Sequence, residues 1–384
     1  MALIIYPDFL KEYVCRRKSC RRTCCRDDWD IVLTKQEFFA AGVKTSGDEH
    51  SFQAAKYFQR NPHSTGDDNY ACCRMRSDGF CTLLTTDGLC SWQNEYGESV
   101  GAACNYFPMT YISFLGDIYE YPTASCEAVV EHLLKRTEPI VLESRAITTG
   151  TSRYQIDIKQ RHFLRRPLLR YYPDLVKWGT AILQDRRFSL DDRFTLLAGA
   201  MTLIDRLERI NSLNELPEAM SKFFYNDAPQ KTIREYARHA IGADAIQAVT
   251  ANAFITKIHS PVHGDFARFV LRNLGISFEE TDENNRLQSR VKHFDMGRLQ
   301  KRMSELAGFI KEREIFLEHI MVCEYLRSMV PVTEPDILGS LSFFNACYAL
   351  LKGVIYGAAA ADSSNTVIAD VVVLLYRMFI HQSR

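Results

Sequence analysis

The chain has 384 residues, with 47 basic and 47 acidic side chains, 46% hydrophobic residues and 11% aromatic residues. This balance excludes an intrinsically disordered chain, a collagen-like repeat and a polybasic nucleic-acid-binding protein. The length predicts two domains, each large enough to bury a core without disulfide bonds.

The N-terminal segment does not have the pattern of a secretory signal peptide. Its apolar run, Ala2 to Tyr6, is followed by Pro7 and Asp8 and lacks a basic leader. A cytoplasmic location is therefore predicted, where reducing conditions disfavour structural disulfides. The most apolar stretch, 367–380, carries two charged residues and is too short to span a membrane, so no membrane partner is predicted.

The first third of the chain mixes short apolar runs with turn signals. The pattern predicts strands at Ile31–Leu33 and Tyr111–Leu115 and a helix at Ser51–Gln59. We interpret residues 1–130 as a cysteine-rich, loop-rich α+β metal-binding module and residues 131–164 as a connecting segment.

From residue 165 to residue 384 the apolar periodicity predicts an all-α domain. Pro173 lies early in the first helix, and Ser189 with Asp192 has the pattern of an N-cap. Helical spacing of apolar residues then recurs at Thr232–Ile255, Phe266–Leu274, Leu299–Met329, Ile337–Ile355 and Thr366–His381. The predicted fold class is mainly α.

Ten of the twelve cysteines lie within the first 126 residues. Two groups of them predict a thiolate metal site, and their members are Cys15, Cys20, Cys24 and Cys25, followed by Cys81, Cys90 and Cys104. The arginines interleaved with the first group favour thiolate over thiol. The spacing contains no pair of C-x2-C knuckles and no CxxxCxxC signature, so zinc and iron both remain open. The other cysteines are interpreted as buried free thiols, namely Cys72, Cys73, Cys126, Cys323 and Cys347.

Several motifs in one order resemble the flagellin lysine-N-methylase (FliB) family and its zinc- or iron-chelating domain. They are C-x4-C-x3-CC-x3-W at Cys15–Trp29, G-x-C-x-L-x4-GLC at Gly79–Cys90, YGE at Tyr96–Glu98 and C-x2-[FY]-P at Cys104–Pro108. The segment Ile182–Arg193 and the closing YRMFIHQ are also similar to the helical part of that family. The chain departs from the pattern at Gly101, where many members carry another cysteine, and at Met109, where the family usually has arginine.

The resemblance implies a cytosolic enzyme that methylates lysine ε-amines of flagellin with S-adenosylmethionine. It also implies an iron–sulfur cluster, of the 4Fe-4S type, held by the grouped cysteines. The alternative functions are noncatalytic zinc or iron binding and a cluster-based redox protein. The sequence does not identify the catalytic residue, the donor-binding residues or the oligomeric state.

Chemical requirements narrow the search for the donor site. A lysine ammonium must lose a proton before it can accept a methyl group, and the sulfonium donor is expected to be met by carboxylates and aromatic faces. The sequence shows no glycine-rich turn after a predicted strand, so a Rossmann fold is not predicted. The arginines around Cys20 are candidates to hold the donor carboxylate. On the last helix, Asp370, Arg377 and His381 share one face, where an internal salt bridge is the favoured interpretation.

Overall fold

The computed structural model describes residues 2–26, 31–45, 53–147, 156–225, 227–236, 241–260, 262–283, 286–328, 336–359 and 362–380. The strands in these ranges are β1 (Leu3–Pro7), β2 (Val32–Leu33), β3 (Phe58–Arg60), β4 (Ala71–Cys73), β5 (Met109–Phe114), β6 (Asp117–Pro122), β7 (Leu142–Ala146), β8 (Ile156–Ile158), β9 (Ile276–Glu283) and β10 (Arg286–Phe294). The helices are α1 (Lys35–Thr45), α2 (Gln53–Tyr57), α3 (Ser91–Tyr96), α4 (Ala102–Tyr106), α5 (Glu127–Lys135), α6 (Tyr172–Leu183), α7 (Leu190–Arg209), α8 (Leu216–Phe223), α9 (Ala228–Tyr236), α10 (Ala243–Ile255), α11 (Gly264–Asn273), α12 (Met296–Glu305), α13 (Ala307–Glu312), α14 (Glu314–Ser328), α15 (Ile337–Ala359) and α16 (Asn365–Leu375). The mainly α class with an N-terminal α+β part is confirmed.

A five-stranded sheet combines three strands of residues 1–130 with two strands of residues 131–164. Its strand order is β7-β1-β6-β5-β8, with β1 parallel to β6, β5 parallel to β8 and the other neighbours antiparallel. The strands β7 and β8 come from residues 131–164 and form the two edges of this sheet. The β5–β6 hairpin turns at Leu115 and Gly116, whose φ values of 53° and 101° suit a tight two-residue turn. The predicted strand at Tyr111–Leu115 is confirmed within β5.

A second, three-stranded sheet of order β2-β4-β3 belongs to the cysteine-rich module. The prediction of a strand at Ile31–Leu33 is confirmed by β2, and the predicted helix at Ser51–Gln59 is confirmed in part by α2. This sheet has a small core of its own, which includes Leu33, Phe58 and Trp92. The half-buried side chains of Cys25, Cys90 and Cys104 pack against it.

The helices after residue 165 follow the predicted periodicity closely. Pro173 lies in the first turn of α6, and the Ser189 hydroxyl caps α7 by accepting a hydrogen bond from the Asp192 backbone N–H at 3.2 Å. Two predicted helices are divided. Thr232–Ile255 covers the end of α9 and all of α10, and Leu299–Met329 covers most of α12 with α13 and α14. Their apolar faces and those of the central sheet form one continuous core.

The prediction of an all-α domain is wrong at residues 276–294, where β9 and β10 form an antiparallel hairpin. Ile276 and Phe278 alternate with polar residues along β9, which is the period of a strand rather than a helix. Glu279 lies opposite Arg290 and forms an ion pair with it across the hairpin. Such cross-strand pairs of opposite charge stabilise an antiparallel ladder.

The helix α15 has the length and composition that a membrane-spanning helix requires. It contains 23 residues, and its most apolar window has a mean hydropathy of 1.4. However, 67% of that window is buried inside the protein. Contacts with α7, α10, α11 and α16 surround it, so its apolar composition serves the core of the helical domain.

Candidate functional site

A cavity of about 560 Å³ lies where the cysteine-rich module meets the end of the last helix. The thiols in its lining belong to Cys15, Cys20, Cys24, Cys25, Cys90, Cys104 and Cys126. Six of these are predicted metal ligands. We call this space the cysteine cavity, and we call residues 15–25 and 81–90 the first and second cysteine loops.

The two cysteine loops approach each other closely at Gly88. A Cβ atom at this position would lie 2.8 Å from the Cβ atom of Lys18, and the φ of Gly88 is 76°. Both facts require glycine, since an L-residue with a side chain is strained at this φ and lacks space. The backbone N–H of Cys81 also donates to the carbonyl oxygen of Cys25 at 3.0 Å, which ties the loops together a second time.

Short helices present the remaining thiols to the cavity. Cys90 is the residue before α3, which ends at Gly97 in the left-handed conformation, and Cys104 lies within α4. Cys126 precedes α5, and its Sγ atom lies 3.6 Å from the hydroxyl oxygen of Tyr13. The sequence interpretation placed Cys126 among the core thiols. It is buried, yet it also lines the cavity.

A buried carboxylate, Glu127, organises the arginines of the first cysteine loop. Its side chain has no solvent exposure and accepts a hydrogen bond from the Arg22 backbone N–H at 2.7 Å. Its Oε1 lies 3.3 Å from Arg16 Nη1 and 3.2 Å from Arg21 Nη1. Glu131, one helical turn later, pairs with the same two arginines. The sequence analysis missed both glutamates. An acidic residue directly after Cys126, at the start of a helix, could have indicated that Glu127 has a role at this site.

The last helix reaches the cavity through Arg377, whose side chain is 1% exposed. The helix α16 widens into a π-helix over Tyr376–Ile380 at this point. The Arg377 guanidinium donates to the carbonyl oxygens of Ser125 (2.9 Å), Thr23 (2.9 Å) and Arg22 (2.7 Å).

The neighbouring carboxylate on that helix, Asp370, forms the salt bridges that the sequence favoured. It lies 3.2 Å from Arg21 Nη2 and 3.6 Å from Arg22 Nε. His381, the third residue of the predicted face, lies outside the described residues, as do Asp27, Asp28 and Trp29.

Several thiols of the cavity, Cys20, Cys24, Cys90 and Cys104 among them, hold their protons more tightly than isolated cysteines. Burial raises the pKa of Cys20 to about 12 and also raises the pKa values of Cys90 and Cys104. A hydrogen bond with Cys25 raises the pKa of Cys24 well above its ordinary value. The sequence predicted that arginines favour thiolate in the first group. This is wrong for Cys20 and Cys24 in the metal-free protein, because burial and the hydrogen bond with Cys25 raise their pKa values.

The seventh predicted ligand, Cys81, lies outside the lining of the cavity. It interacts with the buried thiol of Cys73, and this hydrogen bond lowers the pKa of Cys81 and raises that of Cys73. Its assignment as a ligand stays a prediction. Cys323 and Cys347 are buried in α14 and α15, as predicted.

The donor set of the cavity fits a thiophilic metal or an iron–sulfur cluster, because sulfur dominates its lining. Among the described residues, no three cysteine, histidine, aspartate or glutamate side chains already surround one point as a metal ion requires. The residue types of the lining therefore support metal or cluster binding. The described side chains are not already arranged around a single metal position.

Comparison with known families assigns the C-terminal half. The family model of the FliB lysine N-methylase C-terminal domain matches residues 180–384. The chain belongs to the FliB lysine N-methylase family. The matched region includes Asp370 and Arg377, so the FliB domain contributes directly to the cysteine cavity. No curated protein and no solved structure matches the chain.

Proposed function

We propose that this protein is a lysine N-methylase that transfers a methyl group from S-adenosylmethionine to lysine side chains of flagellin, and that the reaction takes place in the cysteine cavity. The membership of the FliB family supports the reaction class. The observation that carries the location is Arg377, which belongs to the matched FliB domain and lines the cavity with the cysteine loops. A flagellin substrate met before export fits a cytoplasmic enzyme.

The grouped cysteines are proposed to hold an iron–sulfur cluster of the 4Fe-4S type, with zinc as the competing metal. The residues that would hold it are the lining thiols Cys15, Cys20, Cys24, Cys25, Cys90 and Cys104, with Cys81 beside them. When bound, such a cluster supplies covalent links between the cysteine loops and an iron centre that can exchange electrons. Metal binding must release the protons of these thiols, including those that burial holds on Cys20, Cys90 and Cys104.

The methyl donor carries a carboxylate, for which Arg17 is the proposed partner. Arg16, Arg21 and Arg22 are engaged with acidic side chains, as described above. Arg17 lines the cavity, and no ion pair involving it is found among the described residues. Its φ of 48° is unusual for a residue with a side chain, and such strained conformations occur often at binding sites.

The sulfonium of the donor would face the aromatic rings in the lining, Tyr13 and Phe107. Aromatic faces attract cations through their quadrupole. The substrate lysine nitrogen attacks the methyl carbon, the carbon–sulfur bond breaks, and its electron pair stays on sulfur as a neutral thioether. The lysine must lose its proton before this attack, and burial in the cavity favours the neutral amine.

Glu98 is the proposed acceptor of the lysine proton. It lines the cavity and is exposed to solvent. Burial raises the pKa of Tyr13, so its phenol stays protonated near neutral pH and cannot accept the lysine proton. A solvated carboxylate can accept the proton and pass it to water.

The test is the peptide mass of flagellin co-expressed with this protein, compared with flagellin co-expressed with its Cys104→Ala variant. We expect lysine-specific additions of methylene mass with the unaltered protein and their loss with the variant. The Cys347→Ala variant is the matched control, because this thiol lies in the helical core away from the cavity lining. Unmodified flagellin, together with iron in the purified protein, would favour noncatalytic metal binding or redox function instead.

A further inference from the structure

We propose that Arg377 is a positioning residue that holds the first cysteine loop against the start of α5 and thereby sets the shape of the cysteine cavity. Its guanidinium donates to three backbone carbonyl groups, at 2.7–2.9 Å, and is almost completely buried. All three of these acceptors are backbone carbonyl oxygens, so the bonds fix the path of the backbone.

Two of the three acceptors belong to residues that directly precede cavity thiols. Thr23 directly precedes Cys24, and Ser125 directly precedes Cys126. One planar guanidinium thus fixes the backbone beside a thiol of the first loop and beside a thiol at the start of α5. A planar fork of fixed donors can hold three carbonyl groups at once, whereas a lysine ammonium on a flexible stem holds fewer with less geometric definition.

The same helix makes a second, weaker contact with the loop. Asp370 pairs with Arg21 and Arg22, but its side chain is 21% exposed and that of Arg21 is 37% exposed. Exposed pairs of this kind contribute little. The buried bonds of Arg377 are accordingly the main connection between the last helix and the loop.

Arg377 has this role in the protein without metal or methyl donor, whether or not the chain methylates flagellin. If Arg377 is shortened, the backbone at Thr23 can move away from Ser125 at the start of α5, while Glu127 still holds the loop at Arg22 and the helical core remains folded. The thiol of Cys24 would then become accessible to reagents, but buried thiols elsewhere would not.

The experiment measures the alkylation rate of individual cysteines by iodoacetamide in the reduced, metal-free full chain, followed by peptide mass spectrometry. The variants are Arg377→Gln and Arg377→Lys, and Arg209→Gln is the control because Arg209 is an exposed arginine in an i,i+4 pair on α7. We expect Cys24 to react at least about tenfold faster in Arg377→Gln, since losing one hydrogen bond to a charged donor shifts a local opening equilibrium by about that factor. Cys347, buried in α15, should keep its rate.

A second measurement separates positioning from general stability. Cobalt(II) added to the same proteins gives a thiolate-to-metal absorption band, which should weaken in Arg377→Gln and be partly restored in Arg377→Lys. An unchanged Cys24 rate would overturn the proposal, as would an equal increase at Cys24 and Cys347. If the glutamine variant does not fold, the lysine variant provides the same comparison, with an expected rate between the other two.

Discussion

Replacing Gly88 by alanine should separate the two cysteine loops. The new Cβ atom would lie 2.8 Å from Lys18 Cβ and 2.9 Å from Lys18 Cα, where ordinary contacts begin at 3.4 Å. One loop must therefore move by roughly 0.6 Å, the difference between the two contact distances. Because Lys18 lies two residues before Cys20, this displacement is transmitted to the cavity lining.

The expected loss of stability has two parts. A left-handed φ costs an alanine about 1–2 kcal/mol relative to glycine, and overpacking against Lys18 adds about 1–3 kcal/mol. Gly97→Ala is the matched control, because Gly97 has a φ of 70° but no atom within 4 Å of its would-be Cβ. Gly97→Ala should show only the cost of the left-handed φ, without the cost of overpacking.

The assay is urea denaturation of both variants, combined with the alkylation rate of Cys20. We expect Gly88→Ala to lose about 1–3 kcal/mol more free energy of unfolding than Gly97→Ala and to expose Cys20 to the reagent. Equal losses in the two variants, with equal Cys20 rates, would show that the contact with Lys18 does not constrain the loops.

Four further substitutions test other parts of the site and the core. Glu127→Gln should lower the free energy of unfolding, measured in urea, by about 2 kcal/mol. The substitution removes a buried charge, and the loss is limited because the arginine partners are partly exposed. An unchanged free energy of unfolding would contradict the organising role of Glu127. Arg17→Gln should raise the KM for S-adenosylmethionine about tenfold with little change in kcat, as expected for one charge-assisted bond, and a change confined to kcat would argue against carboxylate binding. Glu98→Gln should lower kcat about 10²-fold or more at neutral pH, and an unaltered pH–rate profile would remove it as the proton acceptor. Burial lowers the pKa of His319. Below about pH 6.5 the unfolded chain therefore binds a proton that the folded chain does not, and stability falls as the pH decreases. His319→Asn should reduce the difference in urea stability between pH 7.5 and pH 5.5.

The helices could be predicted from the sequence because their signals are local. The cap at Ser189, the proline at the start of α6 and the apolar spacing along α15 each act within a few residues, and each is found in the structure. The hairpin β9–β10 was missed because its strands carry many charged residues, whose alternation with apolar positions is weak. Its stability comes from pairing between strands, which a local pattern does not reveal.

The sequence predicted that cysteine thiols gather at one site, but not which other residues surround them. Clustered cysteines indicated the right region, and six of the seven predicted ligands line the same space. The sequence did not reveal that Glu127 takes up the neighbouring arginines, or that Cys126 joins the lining. Both depend on where α5 lies relative to the first cysteine loop, which is a tertiary contact across more than 100 residues.

The contact between Arg377 and Thr23 spans 354 positions of the chain. At about 5–20 residues per second, the ribosome needs roughly 20–70 seconds to make that distance. During this interval the first cysteine loop has already emerged, while the arginine that covers its backbone does not yet exist. Nascent chains would therefore carry open, oxidisable thiols for tens of seconds. A cell that loads metal into this protein has its widest access to the site before synthesis has reached the last helix.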